Sequence, residues 1–201
     1  MFEIAEYIGI IAFSISGFLV AVRNKLDLLG VLISTFLTAF GGGLIRDVIA
    51  NKTPYTFTHT TPGTLVIILM LAMIIFKTHK KANLENRALF IISDSIGLVS
   101  FSISGALIAL NVGYNLTGIM ALSFITAVGG GITRDVIINE VPFVFKTGFY
   151  GTIALIVGLI VFILNMLNFL NFFTLLIVFI IFIIVRIIAF YRNWSIPLLP
   201  H

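Results

Sequence analysis

The sequence predicts an all-α integral membrane protein: seven transmembrane helices, arranged as an inverted 3+3 repeat plus one extra helix. Three observations predict it. Of 201 residues, 60% are hydrophobic and 10% charged, with mean hydropathy +1.19, too little polar surface for a soluble domain of this size. The chain divides into seven apolar runs, each near the length needed to cross a bilayer. The segment AFGGGLIRDVI at 39–49 returns as AVGGGITRDVI at 127–137, 88 positions later (127 − 39).

The first run, 4–22, follows Glu3 and Glu6 and precedes Arg23 and Lys25, which favours an outside N-terminus; no basic region precedes it, so a cleaved signal peptide is not expected. The second, 28–50, holds the first glycine triplet, and the third is 63–76. The fourth, 89–110, and the fifth, 116–138, repeat this order, the fifth holding the second triplet. The sixth, 149–166, and seventh, 172–191, are divided only by Asn165, Asn168 and Asn171, where the turn is expected. With the N-terminus outside, Arg23, Lys25, Lys77, Lys80, Lys81, Arg87, Lys146 and Arg192 all fall on the cytoplasmic side, where the C-terminus also lies, and the outer loops hold only Lys52. The +4 charge is therefore read as an orientation signal rather than a nucleic-acid surface. Trp194 is expected to anchor at the interface, and Arg186 to snorkel toward it.

The duplication extends well beyond the triplets. Phe13-Ser14-Ile15-Ser16-Gly17 recurs as Phe101-Ser102-Ile103-Ser104-Gly105. Without a gap, 25 of the 58 positions from Glu6 to Gly63 are identical to their counterparts 88 residues on. Three spans per copy, an odd number, force the second copy to enter from the opposite side. The expected divisions are 1–88 for the first repeat, 89–166 for the inverted second, and 167–201 for the seventh helix and tail.

Gly41, Gly42 and Gly43, and likewise Gly129, Gly130 and Gly131, lie slightly past the middle of their spans. Two readings stand. The triplets break or unwind the helices and bare carbonyls to a polar cavity, or they let two helix backbones pack closely. Arg46, Asp47, Arg134 and Asp135 follow within one turn, and a charge at mid-membrane costs at least about 2.5–3.5 kcal/mol unless it finds a partner or water. In antiparallel copies the two Arg-Asp pairs lie on the order of 15–20 Å apart in depth. Their expected partners are therefore Glu6 for Arg46 and Asp94 for Arg134, themselves repeat equivalents (94 − 6 = 88). Asp47 and Asp135 are then expected to cap half-helix amides or to face the cavity. Ser14, Ser16, Ser102 and Ser104 sit mid-span at a spacing that cannot put both members of a pair on one face; one of each lines the cavity while the other bonds a carbonyl, or they serve as glue between helices. Thr38 and Thr126 precede the triplets and extend the polar lining.

Other chemistry is set aside. The absence of cysteine leaves no disulfide or thiolate site; His59, His79 and His201 have no ligand spacing; no nucleophile–base pair occurs. No enzyme activity, metal or cofactor is expected. Val112-Gly113-Tyr114-Asn115 lacks the remainder of a potassium-selective filter.

The doubled Gly-Gly-Gly-x-x-Arg-Asp, each copy preceded by Phe-Ser-x-Ser-Gly, resembles the prokaryotic branch of the trimeric intracellular cation channel (TRIC) family, also catalogued as a duplicated glycine-transporter-domain membrane family. The resemblance covers roughly residues 4–165. It implies a multi-pass protein of the cell membrane and a homotrimer in which each subunit holds an hourglass pore. That pore is constricted at the triplets, lined or braced by the four motif charges, and permeated by monovalent cations, chiefly potassium. A carrier for glycine or another small neutral solute is the alternative, since half-helix N-termini can hold a carboxylate; a non-conducting structural protein is the third reading.

Overall fold

The computed structural model describes residues 1–76, 83–146 and 149–194. The expectations for Lys77, His79, Lys80, Lys81 and His201 lie outside the described residues. Among those described, all regular structure is helical. The elements run α1 (Phe2–Arg23), α2 (Leu28–Ile49), α3 (Tyr55–Thr58), α4 (Thr60–Ile75), α5 (Asn83–Val112), α6 (Leu116–Ile137), α7 (Phe143–Lys146), α8 (Gly151–Met166) and α9 (Phe172–Tyr191). Five of them (α1, α2, α5, α6 and α9) are long and apolar enough to cross a membrane, while α4 and α8 are apolar but only 16 residues each.

Local signals fix the helix ends, and they are duplicated. Asp27 accepts from the Gly30 amide at 2.7 Å, and Asn115 from the Gly118 amide at 2.9 Å, so both triplet helices begin at a side-chain cap. Lys25 and Gly113 are equivalent positions, and both are left-handed, with φ of 55° and 82°. Each closes a helix with a paired turn: Leu26 and Tyr114 amides return to the Ala21 and Ala109 carbonyls. Val112-Gly113-Tyr114-Asn115 is thus a helix stop followed by a helix start. Asn51 and Asn139 repeat the left-handed stop after α2 and α6.

Two expectations about the helices change. The glycine triplets do not break them: α2 and α6 run as continuous α-helix through both. Glycine in a helix costs about 1 kcal/mol per residue relative to alanine, but unpaired backbone in an apolar interior costs several, so the ladder is kept. The connections α2–α4 and α6–α8, expected as loops, each contain a one-turn helix, α3 and α7.

The core is formed by α1, α2, α5 and α6, with α4 against α1, α8 against α6 and α5, and α9 against α5. The crossings are antiparallel and reciprocal. A Cβ at Gly9 would meet the Phe101 ring, and one at Gly97 would meet the Phe13 ring, so α1 ascends as α5 descends. Phe13 and Phe101 themselves pack edge to face at 5.2 Å. Residue i touching j + 88 while i + 88 touches j is the mark of a two-fold relation. One end of the bundle gathers the N-terminus, α3 and the α5–α6 turn, through the Tyr7–Tyr55 hydroxyl pair and the Tyr114 hydroxyl donating to the Ile49 carbonyl. The other end gathers Arg23, Glu140 and Lys146, and the close of α9.

Candidate functional site

The two triplets pack face to face. A Cβ built at Gly41 would stand 3.1 Å from the Gly130 Cα, and one at Gly129 would stand 3.2 Å from the Gly42 Cα. At Gly42 a Cβ would collide with the Thr126 carbonyl, and at Gly130 with the Thr38 carbonyl. Close backbone approach is therefore what these glycines provide. Thr38 and Thr126, expected to extend a polar lining, are fully buried and donate to the Ser34 and Leu122 carbonyls of their own helices, both at 2.6 Å. Ser14 and Ser102 likewise donate to Ile10 and Leu98 carbonyls.

On either side of this contact lies a buried charge cluster. In the first, the Glu6 carboxylate forks onto Arg46, 2.5 Å to Nη1 and 3.1 Å to Nη2. Ser104 donates to Glu6 at 2.8 Å and also touches Nη1. Asp47 takes the Arg46 Nε at 2.8 Å on one oxygen and the Tyr55 amide at 2.8 Å on the other. The Phe2 ring lies 4.9 Å from the guanidinium. Arg46 and Glu6 are almost wholly shielded from solvent. A buried pair of this kind is costly to break, about 3–5 kcal/mol, because the remaining charge is stranded.

The second cluster keeps half of this pattern. Asp135 takes the Arg134 Nε at 2.8 Å and the Phe143 amide at 2.8 Å. The aspartates thus cap α3 and α7 rather than the half-helices beyond the triplets. Asp94, expected to pair with Arg134, is instead joined to it through Ser16, 3.3 Å from Asp94 and 3.4 Å from Arg134. Aspartate is one methylene shorter than Glu6, and Asp94 also interacts with Tyr150 and Arg186. Arg186 does not snorkel: it is 2% exposed and enclosed by Phe143, Tyr150 and Phe190, with its ring contacts at 4.8–5.9 Å.

Sequence reasoning missed three features here: the exchange of serines, Arg186 as a member of the second cluster, and Tyr150. Each cluster takes its serine from the other repeat, since antiparallel packing sets 104 beside 6 and 16 beside 94. A signal for the aspartate caps lay in Pro54 and Pro142: each leaves the next residue, Tyr55 or Phe143, to supply the first amide of a short helix. At the bundle end, burial pushes the Glu140 carboxyl up, but Arg23, Asn24 and Lys146 outweigh it and hold it below the usual glutamate range. Burial and the Tyr7 hydroxyl raise the Tyr55 phenol. Trp194 is half exposed and packs edge to face on Phe149.

This constellation of paired triplets, each flanked by Arg-Asp, can be set beside known proteins. The glycine transporter family model matches residues 3–80 and again 91–166. A solved structure concerned with conductance through TRIC cation channels superimposes with TM-score 0.87 at 36% identity, covering 100% of this chain and 98% of the other. The chain belongs to the prokaryotic TRIC family. A second solved prokaryotic TRIC channel, crystallised in 0.5 M KCl, gives TM-score 0.87 at 30% identity, covering 97% and 98%. Among curated relatives, the UPF0126 membrane protein YvgT of Bacillus subtilis is 35% identical over 195 residues, 97% of this chain and 95% of that one. These relatives are membrane proteins and channels, not enzymes.

Proposed function

We propose that the chain is a monovalent cation channel, selective for potassium, with a pathway inside each subunit along the α2–α6 contact. The observation that carries this reading is the antiparallel meeting of the two triplets with a buried charge cluster on each side, in a chain that matches a solved TRIC cation channel over its whole length. Cations pass where the triplets meet, and the closed contact is the constriction. Carboxylates outnumber arginines among the six motif and partner charges, four to two, which favours cations near the shoulders.

The membrane reading follows the same lines. The spans are α1, α2, α4, α5, α6, α8 and α9, with α4 and α8 of about 24 Å at 1.5 Å per residue. The first repeat is 1–88, the inverted second 89–166, and 167–201 the appended helix and tail. The N-terminus faces outward and the C-terminus the cytoplasm, because the basic end holds Arg23, Lys146 and Arg87 while Lys52 lies opposite. The exposed apolar faces of α4 and α9 meet lipid or a neighbouring subunit of a homotrimer in the cell membrane.

A glycine carrier is the second reading, favoured by the name of the family model and by the incomplete partner set of Arg134. Purified protein in planar bilayers with a KCl gradient separates the two. Unitary steps reversing toward the potassium equilibrium potential support the channel. Saturable glycine uptake into vesicles without unitary steps overturns it.

A further inference from the structure

The two charge clusters are equivalent by repeat yet unequal in content. At Arg46 both terminal nitrogens receive the Glu6 carboxylate. At Arg134, Nη1 has only the distant Ser16 hydroxyl at 3.4 Å, and Nη2 makes no hydrogen bond among the described residues, although Arg134 is 1% exposed. Among the described residues, the place that Glu6 takes on Arg46 holds no carboxylate within hydrogen-bonding distance of Arg134 Nη1 or Nη2. A Cβ at Gly43 would stand 3.1 Å from the Glu6 carboxylate, whereas at the equivalent Gly131 the nearest atom is Arg134 Nη2, 3.9 Å away. Gly43 is buried and Gly131 is partly exposed.

Charge gives the same answer. Glu6, Arg46 and Asp47 sum to −1 (−1 + 1 − 1). In the second half Arg186 offsets Asp94, so Asp94, Arg134, Asp135 and Arg186 sum to 0 (−1 + 1 − 1 + 1). One added carboxylate brings the second cluster to the charge of the first. It also gives a buried guanidinium its bidentate partner, the geometry that arginine recognises best.

We infer that Arg134, Ser16 and the open face of Gly131 form a binding site for the carboxylate of a small organic acid or amino acid, seated as Glu6 is seated on Arg46. The site rests on the geometry of the second cluster and holds whether the chain conducts cations or carries a solute. In a channel such a ligand braces the second cluster; in a carrier it is the cargo.

The test is ligand-observed NMR on the purified full-length protein at fixed ionic strength, with carboxyl-labelled acetate or glycine as probe and methanesulfonate as control. Saturable broadening by glycine alone identifies an amino acid ligand; saturation by acetate as well identifies any small carboxylate. Asp94→Glu supplies the missing methylene, so its own carboxylate fills the seat. It is expected to weaken binding at least about tenfold, the scale of a lost charge-assisted contact, while melting no lower than the unaltered protein. If that variant does not fold, Ser16→Ala decides, with a several-fold loss of affinity expected. The inference is overturned if neither carboxylate saturates, if methanesulfonate competes equally, if Asp94→Glu binds as the unaltered protein does, or if Ser16→Ala binds unchanged when it must decide.

Discussion

Gly42→Ala and Gly131→Ala make the same chemical change in equivalent helices and should have opposite consequences. The Gly42 Cβ would stand well inside van der Waals contact distance of the Thr126 carbonyl oxygen, and that oxygen is backbone and cannot rotate away. The helices α2 and α6 must therefore separate, at about 1–3 kcal/mol for an overpacked contact. Alanine returns up to about 1 kcal/mol of helix propensity. At Gly131 the nearest atom to the new methyl is 3.9 Å away, so only the propensity gain remains. The two variants should differ by roughly 1–3 kcal/mol, or about 2–12 °C in melting midpoint for a chain of this size. Circular dichroism melts in one detergent measure this directly. Midpoints within 2 °C of each other, or Gly131→Ala the lower, would refute the close-packing role assigned to the triplet contact.

Other perturbations follow from the clusters. Glu6→Gln removes the carboxylate that forks onto Arg46 and leaves Asp47 as its one ionic partner. It should destabilise by up to about 3 kcal/mol in the same melts, and an unchanged midpoint would count against the pairing. Glu140 lies below its ordinary value in the folded chain, so its ion pairs stabilise fully above the ordinary glutamate pKa of 4.5 and fade as pH falls through the lower folded value. Because Arg23 is largely exposed, the effect should stay within about 1 kcal/mol. Glu140→Gln should abolish that part of the acid sensitivity, and an unchanged pH profile of the melting midpoint would count against it.

Much of this arrangement can be read from residue order because the gene product repeats itself. The 88-residue register places Glu6 with Asp94 and Arg46 with Arg134 before any contact is known. Three apolar runs per copy, an odd number, predict antiparallel copies. Packing register is different: that Ser104 serves Arg46 depends on where α1 crosses α5, which no local pattern specifies. Whether glycines unwind a helix or tighten a crossing depends on what stands opposite, and here it is the other triplet. Arg186 looked like an interfacial residue because its charge was weighed without the aromatic rings of Phe143, Tyr150 and Phe190 that enclose it. The inequality of the two clusters was visible in one letter, Glu6 against Asp94, but its consequence needed the distances.

The chain has no cysteine, so single thiols can be placed without background. Thr133 is half-buried beside the triplet contact, its hydroxyl 3.6 Å from a Cβ built at Gly41, whereas Ile180 on α9 is 49% exposed on the outer face. The most direct test of the proposed pathway is potassium current through Thr133→Cys and Ile180→Cys during exposure to a cationic methanethiosulfonate. A pathway along α2 and α6 within each subunit predicts progressive block of Thr133→Cys, with Ile180→Cys unaffected. Undiminished current through a demonstrably modified Thr133→Cys would contradict it.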